Sequence, residues 1–497
     1  MQEQSVAWRV LALNTIAFTV CFACWMLNGV LVTFLVEAGL FEWDAAQMGT
    51  LIGIPVLTGS LMRLPLGMLT DKFGGRPVYA ILMLLCAVPM FLLSRVDSYT
   101  GYLLASLGFG LTGTSFAVGI AFSSVWFRRE HQGTALGIFG AGNAGAALTA
   151  MLAPGVLRAL THGGEDLERW RLLPQYYAAL LVAMAVVFFL FTKNKKPEVA
   201  SRSTVLQMLQ PLRNVRVWRF GLYYFLVFGG FVALSQWLVP YYVNVYAMTI
   251  VTAGLLTSIF SLPSGVIRAL GGYLSDKLGA RSVMYWVLSV TALCCFALFF
   301  PKMEVESPGS GVMARKSGTV TLVADGEIRV DDDIYPLQSR TQNEFDDTGT
   351  HLLPVIRSWH VPQVAVGQQV GRRHLLAGGV THVFFQANVW IFTMFVFIIG
   401  IAMGVGKAAV YKYIPEYFPS QVGVVGGMVG VIGGLGGFVC PIIFGYLLRG
   451  IGLWTTTWVF FFFVAVVCLI WLHLVVRRSS TKETHIEGLG PHAASTG

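Results

Sequence analysis

The sequence predicts an all-α membrane protein of twelve transmembrane helices in two six-helix halves, with a small β-rich extracytoplasmic insertion between helices nine and ten. Three observations carry this. Of 497 residues 55% are hydrophobic and only 12% charged, whereas water-soluble domains carry about 25% charged residues. Apolar stretches long enough to cross roughly 30 Å of hydrocarbon recur twelve times. Finally, a motif repeats: "MRLPLGMLTDKFGGR" (62–76) and "IRALGGYLSDKLGAR" (267–281) hold Arg, Gly, Asp, Gly and Arg at identical spacings.

The first six stretches lie near 10–36, 47–70, 77–95, 101–126, 133–158 and 173–192, within an N-terminal half spanning 1–192. The first is too long to be a signal peptide and lacks a basic start and a small-residue cleavage site. A basic segment, 193–217, reads as a cytoplasmic linker. The second set begins with spans near 218–243, 251–275 and 283–301, within 218–302, and ends with spans near 388–410, 423–447 and 453–476, within 388–478. The polar tail 479–497 has no apolar periodicity and is expected to be disordered.

Between the sets of three lies the insertion, 303–387. Its segments "GVMARKSGTVTLV" (311–323) and "VAVGQQVGRRHLLAGG" (364–379) alternate β-branched residues with Gly, the pattern of short strands and turns. The pair resembles half of a biotinyl/lipoyl-type β-sandwich, without a carrier lysine in the usual hairpin. Asp331, Asp332 and Asp333 read as a solvated turn rather than a metal site.

Orientation follows the distribution of Lys and Arg over short loops. With both termini in the cytoplasm, that side holds Lys72, Arg76, Arg128, Arg129, Lys277, Arg281, Arg477 and Arg478. The linker adds Lys193, Lys195, Lys196, Arg202, Arg213, Arg216 and Arg219, while Glu37, Glu42, Asp44 and Asp97 face outward. The net charge of +9 then reflects topology and contact with anionic lipid, not nucleic acid. All seven cysteines fall in spans, and Cys21 and Cys24, a C-x-x-C in mid-helix, read as packing. No metal or cofactor is expected.

The repeated arginines set the functional question. Asp71 and Asp276 mark the cytoplasmic surface, and eight helical residues at 1.5 Å rise place Arg63 and Arg268 about 12 Å inward. Half of the hydrocarbon core is about 15 Å, so both lie near its centre. A charge there costs from about 3 to over 10 kcal/mol unless paired or hydrated. None of the 25 Asp and Glu residues is mid-span, and none of the nine His is central. The missing counter-ion is then the substrate. Snorkelling to the cytoplasm is the competing reading, but the depth is beyond comfortable reach and the symmetry of the positions argues against it.

Arginine presents a planar fork of donors suited to flat oxyanions. One guanidinium from each half would clamp a small anion between the halves. Tyr224 and Phe228, one turn apart in "LYYFLVFGGF" (222–231), and Phe116 in "GTSFAVG" (113–119) supply candidate aromatic walls. A second duplicated pair, "GTALGIFGAGNAGAALTA" (133–150) and "GVVGGMVGVIGGLGGFVC" (423–440), opens the fifth and eleventh spans. Small residues at such spacings allow close helix approach. Asn143 is the exception, a polar amide deep in an apolar helix that needs a partner.

Together these features resemble the nitrate/nitrite porter family (NarK type) of the major facilitator superfamily, over nearly all twelve spans. The resemblance is carried by Arg63 and Arg268 above their loop motifs, by "GIFGAGNAG" (137–145) and by "GMVGVIGGLGGF" (427–438). It implies that Arg63 and Arg268 bind the anion, Tyr224 hydrogen-bonds it, Phe116 and Phe228 sandwich it, and Asn143 lines the site. The signature glycines are then Gly137, Gly140, Gly142, Gly145, Gly427, Gly430 and Gly433; Gly430 stands where some relatives have serine. The resemblance further implies nitrate and nitrite as substrates, a monomer in a bacterial inner membrane, and no enzymatic activity. Nitrate/nitrite exchange is the leading expectation, because no mid-span acid or histidine offers a proton carrier. Proton-coupled nitrate uptake is the alternative, followed by a facilitator for another small anion and a membrane sensor.

Overall fold

The computed structural model describes residues 2–127, 129–196, 210–299, 303–340, 355–385, 388–418 and 422–487. It divides into a helical unit, Met1–Ala297 with Thr393–Gly497, and a second unit, Leu298–Phe392.

In lipid every backbone N–H and C=O must be satisfied within the chain, which drives long apolar segments into helices. Among the described residues ten helices are long and apolar enough to cross a membrane: Gln4–Glu37, Gly75–Leu93, Tyr99–Ser124, Thr134–Leu160, Leu167–Phe191, Val215–Tyr246, Ala280–Ala297, Val389–Tyr417, Val424–Ile451 and Thr456–Arg477. Two further candidates are bent pairs, Ala45–Leu61 with Arg63–Phe73 at 40° and Ile250–Val266 with Leu270–Leu278 at 51°. If each pair is one span, they are the second and eighth in chain order, and the ordinals below follow that order. Large side chains such as Leu85, Leu104, Trp286, Leu293 and Phe463 point outward, as a lipid-facing surface requires.

Polar caps start three of these helices at one end of the bundle. The Gln47 amide donates to Asp44 Oδ1 at 2.8 Å, and the Asp44 amide donates back to Gln47 Oε1 at 3.0 Å, a reciprocal cap. Ser98 and Thr249 cap the fourth and eighth spans through the amides of Gly101 and Thr252. At this end the halves are in tight contact. A Cβ on Gly49 would collide with the Pro441 carbonyl, and one on Gly254 with the Ala150 carbonyl, so glycine is what lets these backbones touch.

Helix irregularities gather at mid-span. The second span breaks at Met62 and the eighth at Ile267, each immediately before its arginine. The fourth and fifth spans tighten into 3-10 turns at Gly110–Thr114 and Ala141–Ala144, and the seventh widens into a π-turn at Phe225–Gly229. Such departures from regular α geometry concentrate at functional positions. Here they bracket Phe116, Asn143, Tyr224 and Phe228.

Two expected boundaries shift. The last helix runs Thr456–Glu487, so residues 479–487 of the expected tail are helical; no Gly or Pro interrupts the chain before Gly488. Residues 488–497 lie outside the described residues, as do 197–209 of the linker, whose end forms a 3-10 turn at Gln210–Arg213 before the helix from Val215. All seven cysteines are buried and none is in a disulfide.

The second unit is built from seven strands: β1 (Met303–Met313), β2 (Gly318–Ala324), β3 (Glu327–Val330), β4 (Asp333–Pro336), β5 (Val355–Pro362), β6 (Gln369–Val370) and β7 (Leu375–Phe385). They form an antiparallel sheet ordered β1-β7-β5 and another ordered β4-β3-β2-β6. Val320, Ile328, Val330, Tyr335, Val370 and Leu376 make a core of their own. The acidic run serves the turn: Asp331 Oδ1 accepts from the Thr319 amide at 3.1 Å, and Asp333 pairs with Lys316 at 3.2 Å.

Candidate functional site: a two-arginine cavity

A cavity of about 1100 Å³ enters the helical unit at the end opposite the polar caps, from Asp71 and Asp276, and reaches Arg63, Arg268, Phe116 and Gly430. Spans from both halves line it.

Arg63 is buried, 4% exposed. Its Nη1 donates to the Gly430 carbonyl of the opposite half at 2.9 Å, while Nε and Nη2 have no partner. Three rings surround the guanidinium carbon: Phe228 at 5.1 Å, Phe116 at 5.4 Å and Trp25 at 5.7 Å from their centroids. Arg268 lies 5.4 Å from both Phe116 and Tyr411, and its Nη1 is likewise buried without a partner. Both arginines thus stand over Phe116, with unused donors. Among the described residues no Asp or Glu is buried, so no carboxylate meets them in the interior.

The three candidate aromatic residues lie side by side, and of them Phe116 lines the cavity. Phe116 faces Phe228 with centroids 6.3 Å apart and planes within 27°, and Tyr224 stacks on Phe228 at 4.9 Å. A flat ion between two rings needs about 7 Å at ordinary contact distance, so Phe116 and Phe228 must part slightly to admit one. The Tyr224 hydroxyl is buried beside that of Tyr411 and is not held by a hydrogen bond of good geometry. Asn143 is fully buried in its 3-10 turn with both amide atoms unpaired; its backbone packs near Gly265, three residues before Arg268. The partner that the sequence demanded for this amide is absent among the described residues, and Asn143 is not among the residues that line the cavity.

The signature glycines divide by role. Gly142 and Gly145 bring the fifth span against Phe18 and Thr19 of the first, and Gly433 makes room for the Tyr224 ring. Gly137, Gly427 and Gly430 border the cavity, and Gly140 lies against the Arg268 side chain. Gly430 contributes its carbonyl to Arg63, a contact that needs no side chain.

Three site residues escaped the sequence reading. Trp25 and Tyr411 were indistinguishable from ordinary packing aromatics. The third, Lys407, is a correction: a search confined to acids and histidines, as potential counter-ions and proton carriers, passed over a base in "GIAMGVGKAAVYKY" (400–413). Lys407 is 0% exposed, and its Nζ donates to the carbonyl and hydroxyl oxygens of Ser264 at 3.0 and 3.3 Å. Lys407 is thus a buried base in addition to the site arginines and to Arg219, which is 6% exposed near the start of the seventh span.

Comparison with known proteins places this architecture. The Major Facilitator Superfamily model matches residues 13–314 and 374–495, leaving out a stretch inside the β-rich unit. A Thermus thermophilus protein named "Probable nitrate/nitrite antiporter NarK1" is 38% identical over 97% of this chain and 94% of its own. The Bacillus subtilis "Nitrite extrusion protein" is 24% identical over 96% and 98%. Among solved structures, a bacterial homolog of the human lysosomal transporter Spinster superposes with a TM-score of 0.62 at 14% identity, covering 94% of this chain and 96% of that one. A mutant form of the nucleoside transporter NupG does so with 0.60 at 14%, covering 94% and 99%; both are likenesses of fold. The chain belongs to the Major Facilitator Superfamily and, within it, to the NarK-type nitrate/nitrite porters.

Proposed function

We propose that this chain exchanges nitrate for nitrite across a bacterial inner membrane by alternating access, working as a monomer of twelve spans with both termini in the cytoplasm. The observation that carries the reading is the pair of guanidiniums, one from each half, over the Phe116 ring with unpaired donors and no buried acid among the described residues. A monoanion supplies the missing negative charge. Its planar oxygens suit the arginine forks, and its flat face suits Phe116 and Phe228. Tyr224 and Asn143 add hydrogen bonds at its edge.

On this reading the cavity opens to the cytoplasm, since it ends at Asp71 and Asp276 beside the basic loops. The glycine contacts around Gly49 and Gly254 close the periplasmic end. Rocking the halves about the bound anion would open one end as the other closes. Names of the Thermus and Bacillus relatives, an antiporter and an extrusion protein, favour exchange. Proton-coupled uptake is the second reading, and Lys407, an ionisable group within the helical core, is the observation that favours it. Counterflow in proteoliposomes, with nitrate and nitrite on opposite sides, tests the proposal: nitrate entry should require, or be strongly accelerated by, internal nitrite. Equal flux of nitrate with and without a counter-anion would overturn exchange.

A further inference from the structure

A second, much smaller cleft lies at the same end of the helical unit as the cavity mouth and shares no residue with the cavity. Four spans of the C-terminal half build it. Arg219 and Tyr223 come from the start of the seventh and Arg281 from the start of the ninth, while Tyr413 and Tyr417 come from the end of the tenth. The end of the twelfth closes it with an apolar wall at Val476.

The polar groups in this cleft are donors without acceptors. Arg219 is only 6% exposed, yet its guanidinium makes no hydrogen bond or salt bridge among the described residues, and its Nε is fully buried. The hydroxyls of Tyr223 and Tyr413 are buried without partners as well. Arg281 Nη2 donates to the Tyr417 hydroxyl at 2.9 Å, which leaves the hydrogen of that hydroxyl for another acceptor. Arg216 adds charge at the rim, its guanidinium carbon 5.2 Å from the Tyr417 ring centroid. Glu416 is exposed and makes no salt bridge to these arginines among the described residues. Three arginines therefore stand against one acid. Donors buried in this way are costly unless an oxygen meets them.

Size and position identify the anion. The cleft encloses about 10 Å³, room for roughly one water-sized atom. Nitrate does not fit inside, and a ligand can insert one oxygen while its body stays outside. A phosphodiester at the edge of a bilayer has this form, with its acyl chains running along the apolar side of the twelfth span, where Leu474 is exposed. Trp218, next to Arg219, holds its Nε1 on the Leu212 carbonyl at 2.7 Å and leaves its ring half-exposed, as an aromatic at the membrane–water interface does. The excess of positive charge favours a headgroup of net negative charge over a zwitterionic one.

We propose that this cleft binds the phosphodiester of an anionic phospholipid such as phosphatidylglycerol, one phosphate oxygen accepting from Arg219 and Tyr413 and another meeting Arg281 and Tyr417 at the rim. The bound lipid ties together the ends of four spans of the C-terminal half. The inference needs this end of the spans to lie at a membrane surface, and it is independent of which anion the cavity carries.

The test is native mass spectrometry of the purified full-length protein in uncharged detergent, titrated with phosphatidylglycerol and separately with phosphatidylcholine. The first phosphatidylglycerol should bind roughly 10-fold more tightly than phosphatidylcholine, and Arg219→Gln or Arg281→Gln should remove most of that preference. Tyr413→Phe changes no charge and should still weaken phosphatidylglycerol binding by a few-fold, which separates this cleft from general attraction to a basic surface. Equal binding of the two lipids by the wild type would overturn the proposal, whether or not any variant folds. An undiminished preference in Arg281→Gln, whose side chain is exposed, or unchanged binding in Tyr413→Phe would overturn it too. Displacement of the lipid by millimolar inorganic phosphate would assign the cleft to soluble phosphates instead.

Discussion

Arg63 and Arg268, 205 residues apart in sequence, stand over one ring: each guanidinium carbon lies 5.4 Å from the centroid of Phe116. A residue of the fourth span therefore serves the charges of both halves, and the duplicated motif converges on a single point. Each arginine keeps unpaired donors there, as the proposed anion site requires.

Replacing Arg63 or Arg268 by Ala should abolish transport in a protein that still folds. Lys should restore little, because a point charge loses the two-pronged geometry. One charge-assisted hydrogen bond contributes about 1.5–3 kcal/mol, so each Lys variant should bind nitrate roughly 10- to 100-fold more weakly. Isothermal titration of the purified variants gives the answer, and near-normal affinity in both would refute planar recognition.

The two glycine signatures should respond differently to one added methyl group. At Gly433 a Cβ would collide with the Tyr224 ring, whereas at Gly137 nothing lies within 4 Å. Gly433→Ala should lose about 1–3 kcal/mol to overpacking and displace Tyr224. Gly137→Ala should match or exceed the wild type in stability, since Ala favours a helix over Gly by about 1 kcal/mol. Thermal unfolding in detergent, compared side by side, checks both.

The β-rich unit has its own core, centred on Val320, Ile328 and Leu376. Replacing 306–378 with a short Gly/Ser linker should therefore leave nitrate affinity within a few-fold. A specific loss of binding in a properly inserted variant would mean that this unit helps to build or gate the site.

Coupling should show exchange. An empty site with two unpaired arginines is costly to occlude, because closure strips water from both charges; a bound anion offsets part of that cost, so the loaded carrier reorients faster. Nitrate uptake into liposomes should rise several-fold with internal nitrite and respond little to an imposed pH gradient. Strong uptake into nitrite-free vesicles, driven by an inward proton gradient and collapsed by an uncoupler, would establish symport instead.

Sequence alone determined the apolar segments, their order and the duplicated motif, and it singled out Arg63, Arg268, Phe116, Tyr224, Phe228 and Asn143 as candidates. Hydropathy is legible residue by residue, and lipid leaves such segments little choice but helix. Tertiary structure decided the rest. Gly430 became an acceptor for Arg63, 367 positions away, and Lys407 found its oxygens on Ser264, 143 positions away. Asn143 is left with both amide atoms unpaired in a 3-10 turn beside the eighth span. No local pattern encodes these outcomes: they depend on which helix faces which, and that is settled by packing small residues between the two halves.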